Sequence, residues 1–180
     1  MKRTSLLLAS LLLATSAIAT PVLAQSVGEK TGVNSTLGIA PTTPDFVKQV
    51  AISDMFEIAS NKLGEDKGNA AEKKFAAMMV TDHTKTSTEL KALVSSGKVK
   101  AEIPAALDSA HQSKLDKLKS LNGAEFTKQY NSDQVAAHKD AVNLFERYAK
   151  GGDNADLKAW AGKTVPALQM HLKMAQDLKP

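Results

Sequence analysis

The tightest constraint on this chain is a spacing. Ala76, Met79, His83, Thr86, Leu90 and Leu93 follow one another at steps of 3, 4, 3, 4 and 3, which places them on one stripe of an α-helix. Three other segments carry the same spacing. One is Val47, Val50, Asp54, Glu57 and Asn61; another is Gln134, His138, Ala141, Phe145 and Tyr148; the last runs from Leu157 through Trp160, Thr164, Leu168, His171 and Ala175 to Leu178. No stretch shows the period-two alternation of a half-buried strand. Four long helices with one inward stripe each can bury those stripes only against one another, so the expected class is an all-α four-helix bundle.

Local signals divide the chain accordingly. Thr43-Pro44-Asp45 offers a capping hydroxyl, a proline where its missing N–H is harmless, and an acid in the first turn. Gly64 to Gly68 reads as a turn, and Asn69 with Glu72 as a capping box that opens a second helix ending before Gly97. Pro104 lies in a connection that leads to a short helix, about residues 106–121. A third long helix is expected over about 124–149 with Gly151-Gly152 as a left-handed cap, and a fourth over about 153–178, kinked but not ended by Pro166. The result is two antiparallel helix hairpins joined by a long crossover that carries a short extra helix.

The first residues need separate treatment. Lys2 and Arg3 precede the apolar run LLLASLLLATSAIA, and Pro21-Val22-Leu23-Ala24 precedes Gln25, the pattern of a secretory signal peptide over residues 1–24. Ala17-Ile18-Ala19 is a second potential cut site. The expectation is export to the periplasm, followed by a flexible leader over residues 25–42, rich in Gly, Ser, Thr and Asn, and a bundle domain over residues 43–180. Cleavage leaves 156 residues, enough for one core, and lowers the formal charge from +4 to +2 because Lys2 and Arg3 leave with the peptide. Lysines are scattered singly without arginine clusters or interleaved aromatics, so no nucleic-acid partner is expected. No later apolar run is long enough to span a membrane after cleavage. The chain has no cysteine, which removes disulfides, thiolate catalysis and thiolate metal ligands.

Three of the four histidines fall on the inward stripes, one on each of three long helices: His83, His138 and His171. A single inward histidine is usually a hydrogen-bonded core residue. Three from separate helices of one bundle point instead to a shared metal centre, because the interior of a bundle is where facing helices assemble such sites. Imidazole suits Zn, Cu, Fe and Ni; Mn enters the set if a carboxylate joins. Asp54 and Glu57 can supply that carboxylate from the first helix, and Asp54 lies nearer the level of His83 by residue count along the hairpin. Asp82 is expected to face solvent or a helix terminus, and His111, among polar residues of the short helix, to be exposed. Met78, Met79, Met170 and Met174 read as core filler at helical spacing.

Phe75-Ala76, Met79-Val80 and Asp82-His83 form a block F-A-x-x-M-V-x-D-H. Glu125-Phe126, Tyr130, Val135, His138, Val142 and Leu144-Phe145 form a second, and Trp160-Ala161, Pro166, Leu168, His171 and Met174-Ala175 a third. In this order the blocks resemble the exported bacterial family called domain of unknown function 4142. The resemblance implies a ferritin-like bundle in the periplasm, with Glu57 at the family's first-block glutamate, and it implies no activity. Di-iron ferritins place a glutamate three residues before each ligand histidine; here Val80 and Leu168 hold those places, which argues against a dinuclear carboxylate centre. There is no G-x-S-x-G, phosphate loop or H-E-x-x-H. The leading expectation is a periplasmic bundle that binds a single transition-metal ion (Zn, Cu, Fe or Mn) through inward histidines, as carrier, buffer or sensor. A metal-free envelope or stress-response protein acting through helix contacts comes second, and a metal-dependent oxidoreductase third. An envelope protein partner and self-association are left open.

Overall fold

The structure, a computed structural model, describes residues 26–178; the signal-peptide reading of residues 1–24 lies outside the described residues. Seven helices follow in order: α1 (Val27–Lys30), α2 (Val33–Leu37), α3 (Thr43–Lys67), α4 (Ala70–Ser95), α5 (Ser109–Ser120), α6 (Gly123–Gly151) and α7 (Ala155–Asp177). No strand occurs among the described residues. α3 packs along α4, and α6 along α7, as two hairpins. Phe46, early in α3, stacks on Tyr148, late in α6, while Tyr130, early in α6, donates to Asn61, late in α3. The two helices are therefore antiparallel. The same reasoning applies to α4 and α7, through Glu89 with Trp160 and Asp82 with His171. With α4 and α6 thus parallel, residues 96–122 must run the length of the bundle, and α5 lies in that crossover. This is the one-crossover connectivity found in ferritin-like bundles.

The expected stripes are the buried ones, but the apolar core they build is split in two. One cluster surrounds Phe46, Leu90, Phe145 and Leu157 at one end, with Trp160 packed against it. The other surrounds Phe56, Phe75, Met79, Phe126 and Tyr130 at the opposite end. Between them on the stripes lie Asp54, Glu57, His83, Gln134, His138 and His171, all at most 4 % exposed. Each buried aliphatic or aromatic side chain contributes about 1.5–3 kcal/mol, so the two clusters supply the stability that lets a polar layer exist between them.

Several boundaries differ from the sequence expectation for identifiable reasons. The Asn69–Glu72 capping box is present, with Asn69 N–H donating to Glu72 Oε2 at 2.8 Å, but α3 continues to Lys67 instead of turning at Gly64. Gly64 is a packing residue. A Cβ there would come within 2.8 Å of the Tyr130 ring, so glycine lets α6 approach α3 closely. The cap of α3 is Thr42, whose hydroxyl accepts from Asp45 N–H, while the Thr43 hydroxyl bonds to Tyr148 and Asp153. α5 starts at Ser109 because Asp108 caps it through His111 N–H. Gly152 ends α6 in an extended conformation (φ −61°), not a left-handed one. Glycine is needed there because a Cβ would meet the Tyr148 ring at 2.6 Å. α7 continues through Pro166, as expected.

The segment expected to be a flexible leader carries α1 and α2 and is tied to the bundle. Glu29 pairs with Arg147 of α6 at 2.9 Å, both side chains at most 7 % exposed. Arg147 also donates to Ile39 O, Ser26 N–H donates to Asp45, and Ser35 bonds to Asn143. Removing one partner of a buried pair costs about 3–5 kcal/mol, a cost the segment can escape only by undocking. Arg147→Ala should therefore speed tryptic cleavage after Lys30 by about tenfold or more, with little change in the melting of the bundle. Unchanged cleavage in that variant would show that the pair does not hold the segment.

Candidate metal centre

α4, α6 and α7 each bring one histidine to the polar layer, because each histidine sits in a run of residues that must face inward. The exposures of His83, His138 and His171 are 3 %, 0 % and 2 %. Their ring centroids lie 5.6–5.9 Å apart, and one ring nitrogen from each lies within 4.8 Å of the other two. Asp54 and Glu57, expected as further ligands, are not in this group.

Each imidazole uses one nitrogen for a hydrogen bond and leaves the other buried without a partner. His83 Nδ1 bonds to Asp54 Oδ1 at 2.8 Å, His138 Nδ1 to the Gln134 carbonyl at 2.9 Å, and His171 Nε2 to Asp82 Oδ2 at 2.9 Å. The unpartnered atoms are His83 Nε2, His138 Nε2 and His171 Nδ1. A carbonyl can only accept, so His138 carries its proton on Nδ1, and carboxylate acceptors assign the other two rings in the same way. In the neutral rings the three free atoms are lone pairs. Hydrogen bonds behind the ring that fix its tautomer and orientation are the usual support of metal-ligating histidine. Ligation at 2.0–2.1 Å in a tetrahedral geometry needs nitrogens about 3.4 Å apart. The donor set fits a cation, with one nitrogen of each ring already within 4.8 Å of the other two.

The acids around the triad have separate roles. Asp54 lies behind His83, on the side away from its free nitrogen, and also accepts from Thr86 and Ser87 at 2.9 and 3.1 Å. Glu57 accepts from Asn61 at 2.9 Å and from Gln134 at 3.5 Å. Burial pushes its carboxyl up to about 7, against the charge of His83 and the two amides, which favour ionisation. Burial likewise pushes His138 down to about 3, helped by the charge of His83. His171 is lowered by burial and by His83, with Asp82 opposing. In His83 burial acts downward too, but the hydrogen bond to Asp54 and the charges of Glu57, Asp54 and Asp82 outweigh it and raise the pKa. The neighbouring carboxylates thus favour the protonated form of His83, whereas burial disfavours it in His138 and His171.

The sequence puts Asp54 nearer the level of His83 than Glu57, and the structure has it hydrogen-bonded to that ring. The place of Asp82 was not legible: it bridges to His171 across α4 and α7 instead of facing away from the site. Its position, about 100° round the helix from His83, points it at a neighbouring helix, and only the pairing of α4 with α7 says which. Thr86 and Ser87 were missed as partners of Asp54. His111 stays apart; it bonds to Asp108 and packs edge-on to Phe56.

No curated protein matches the sequence significantly. A solved chain described as CopM in the Cu(II)-bound form is similar in structure, with a TM-score of 0.64 at 14 % identity, covering 77 % of this chain and 96 % of that one. At that identity the likeness shows a shared helical fold. The family model described as Domain of unknown function (DUF4142) matches residues 28–178, and the chain belongs to that family.

Proposed function

We propose that the protein binds one transition-metal ion through His83, His138 and His171 and serves as a carrier, buffer or sensor of that ion. Two observations carry this reading together: the three buried rings bring one nitrogen each within 4.8 Å of the others, and each ring is tied at one nitrogen and unpartnered at the other. Imidazole donors favour Zn, Cu, Fe or Ni. CopM was solved with Cu(II), which makes Cu(II) the first ion to test. Asp54 orients His83, and Glu57 supplies a nearby carboxyl that balances charge. Cavities of about 510, 310 and 320 Å³ between the helices are lined by residues other than these histidines, which favours holding an ion over admitting an organic substrate. The N-terminal signal pattern supports a periplasmic setting for this role.

A ligand specific to the folded state stabilises it by about 2.7 kcal/mol at a hundredfold excess over its Kd, which for a chain of this length raises Tm by about 5–11 °C. Metal-stripped protein should show that shift with Cu(II) or Zn(II). The shift should vanish in His83→Ala, His138→Ala and His171→Ala and survive in His111→Ala. Persistence of the full shift after loss of any one triad histidine would leave the three as hydrogen-bonded core residues.

The ion must displace the proton on His83, whose pKa is raised above its ordinary 6.5, whereas His138, held at about 3, does not compete. Affinity should therefore fall as pH drops through a midpoint above 6.5. Asp54→Asn removes the charge that retains this proton. Its midpoint should move to lower pH while affinity on the alkaline plateau drops about 10–100-fold. Titrations of Cu(II) binding across pH check both signs, and a midpoint indifferent to Asp54→Asn contradicts the assignment.

A further inference from the structure

The three histidines are held from behind by partners of unequal firmness. The Gln134 carbonyl belongs to the helix backbone and moves only with α6. Asp54, with a side chain 5 % exposed, accepts from His83, Thr86 and Ser87. The Asp82 side chain is 39 % exposed, and the hydrogen bond it accepts comes from His171. It is the one carboxylate bonded to the triad that reaches water.

We propose that ions reach and leave the three histidines between α4 and α7, where Asp82 is a positioning residue that draws the ion in and lets His171 move to close on it. This rests on the metal-binding reading above. Three observations support the route. Of the three ties behind the triad, that on His171 is the one that can yield without disturbing a helix or a buried network. The backbones of α4 and α7 approach each other less closely than those of the helices of either hairpin. Met170, beside His171, is 48 % exposed and is the one large apolar residue of α3 to α7 among the exposed ones, so the surface of α7 there is uncovered.

The competing route is the cavity of about 310 Å³ under the crossover, lined by Met55, Ser87, Leu90 and Ile103. It meets the site only at Ser87, whose hydroxyl leads to Asp54 and to the outer edge of His83. An ion arriving there faces a carboxylate locked by three hydrogen bonds, with the free nitrogen of His83 on the far side of the ring.

Trp160, the single tryptophan, lies on α7 eleven residues before His171, about 16 Å along the helix, where bound Cu(II) should quench its fluorescence. Stopped-flow mixing of the metal-free protein with Cu(II) then reports association directly. Asp82→Asn should slow association by about tenfold and flatten its dependence on ionic strength, because an exposed charge facing a divalent ion raises the local ion concentration. Asp82→Glu should restore most of the rate, and Ala105→Phe, which obstructs the competing cavity without touching Asp54, should leave it unchanged. In the metal-free protein, nitrogen NMR should find His171 protonated at Nε2, and Asp82→Ala should release that preference. Association of Asp82→Asn at the wild-type rate, or equal slowing by Ala105→Phe, overturns the route while leaving the metal site standing. Absence of saturable quenching in the wild type removes the metal reading, and the route with it.

Discussion

Three buried imidazoles gathered at the middle of the bundle, each with one ring nitrogen left without a partner, are the constraint around which the molecule is arranged. An unsatisfied buried polar atom costs about 1–3 kcal/mol, so three cost about 3–9 kcal/mol, against a total stability of about 5–15 kcal/mol for a domain of ordinary size. A core filled with leucine at positions 83, 138 and 171 would avoid that cost. The geometry is expensive as a structural device and inexpensive as a ligand set, because coordination satisfies all three nitrogens at once.

The rest of the fold supports this layer. Apolar clusters at either end of the bundle provide the stability and leave the polar residues between them. Below the triad, Gly64 admits Tyr130, Tyr130 donates to Asn61, and Asn61 holds Glu57, which Gln134 also approaches. His138 is fixed by the carbonyl of that same Gln134, so the network that places Glu57 also sets one ring of the triad. Charge follows the same plan. The raised pKa of His83 beside Asp54 and that of Glu57, pushed up to about 7, both favour a layer near neutrality in the absence of an ion. A divalent ion in the proposed centre would be balanced by Asp54 and ionised Glu57.

Much of this was legible in the chain. A spacing of 3 and 4 residues fixes which face of each helix is buried, so the four stripes and all three inward histidines follow from sequence alone. Counting residues along the hairpin puts Asp54 nearer the level of His83 than Glu57, but does not say which of the two acids faces the histidines. Features that depend on one helix meeting another did not follow. Gly64 has the local signature of a turn, and only the Tyr130 ring on α6 reveals it as a packing residue. Asp82 has a solvent-facing position on its own helix, and the pairing of α4 with α7 makes it the partner of His171. Residues 26–42 have the composition of a leader, yet Arg147, more than a hundred positions away, binds Glu29 within it. Local composition carries no information about such contacts.

The most direct test of the central claim is X-ray absorption at the copper edge on protein loaded with one equivalent of Cu(II). The account predicts a first shell containing three imidazole nitrogens at about 2.0 Å, with the imidazole contribution reduced when any one of His83, His138 or His171 is replaced by alanine. A shell of oxygen donors, or an imidazole contribution that all three replacements leave intact, would place the ion elsewhere and contradict the account.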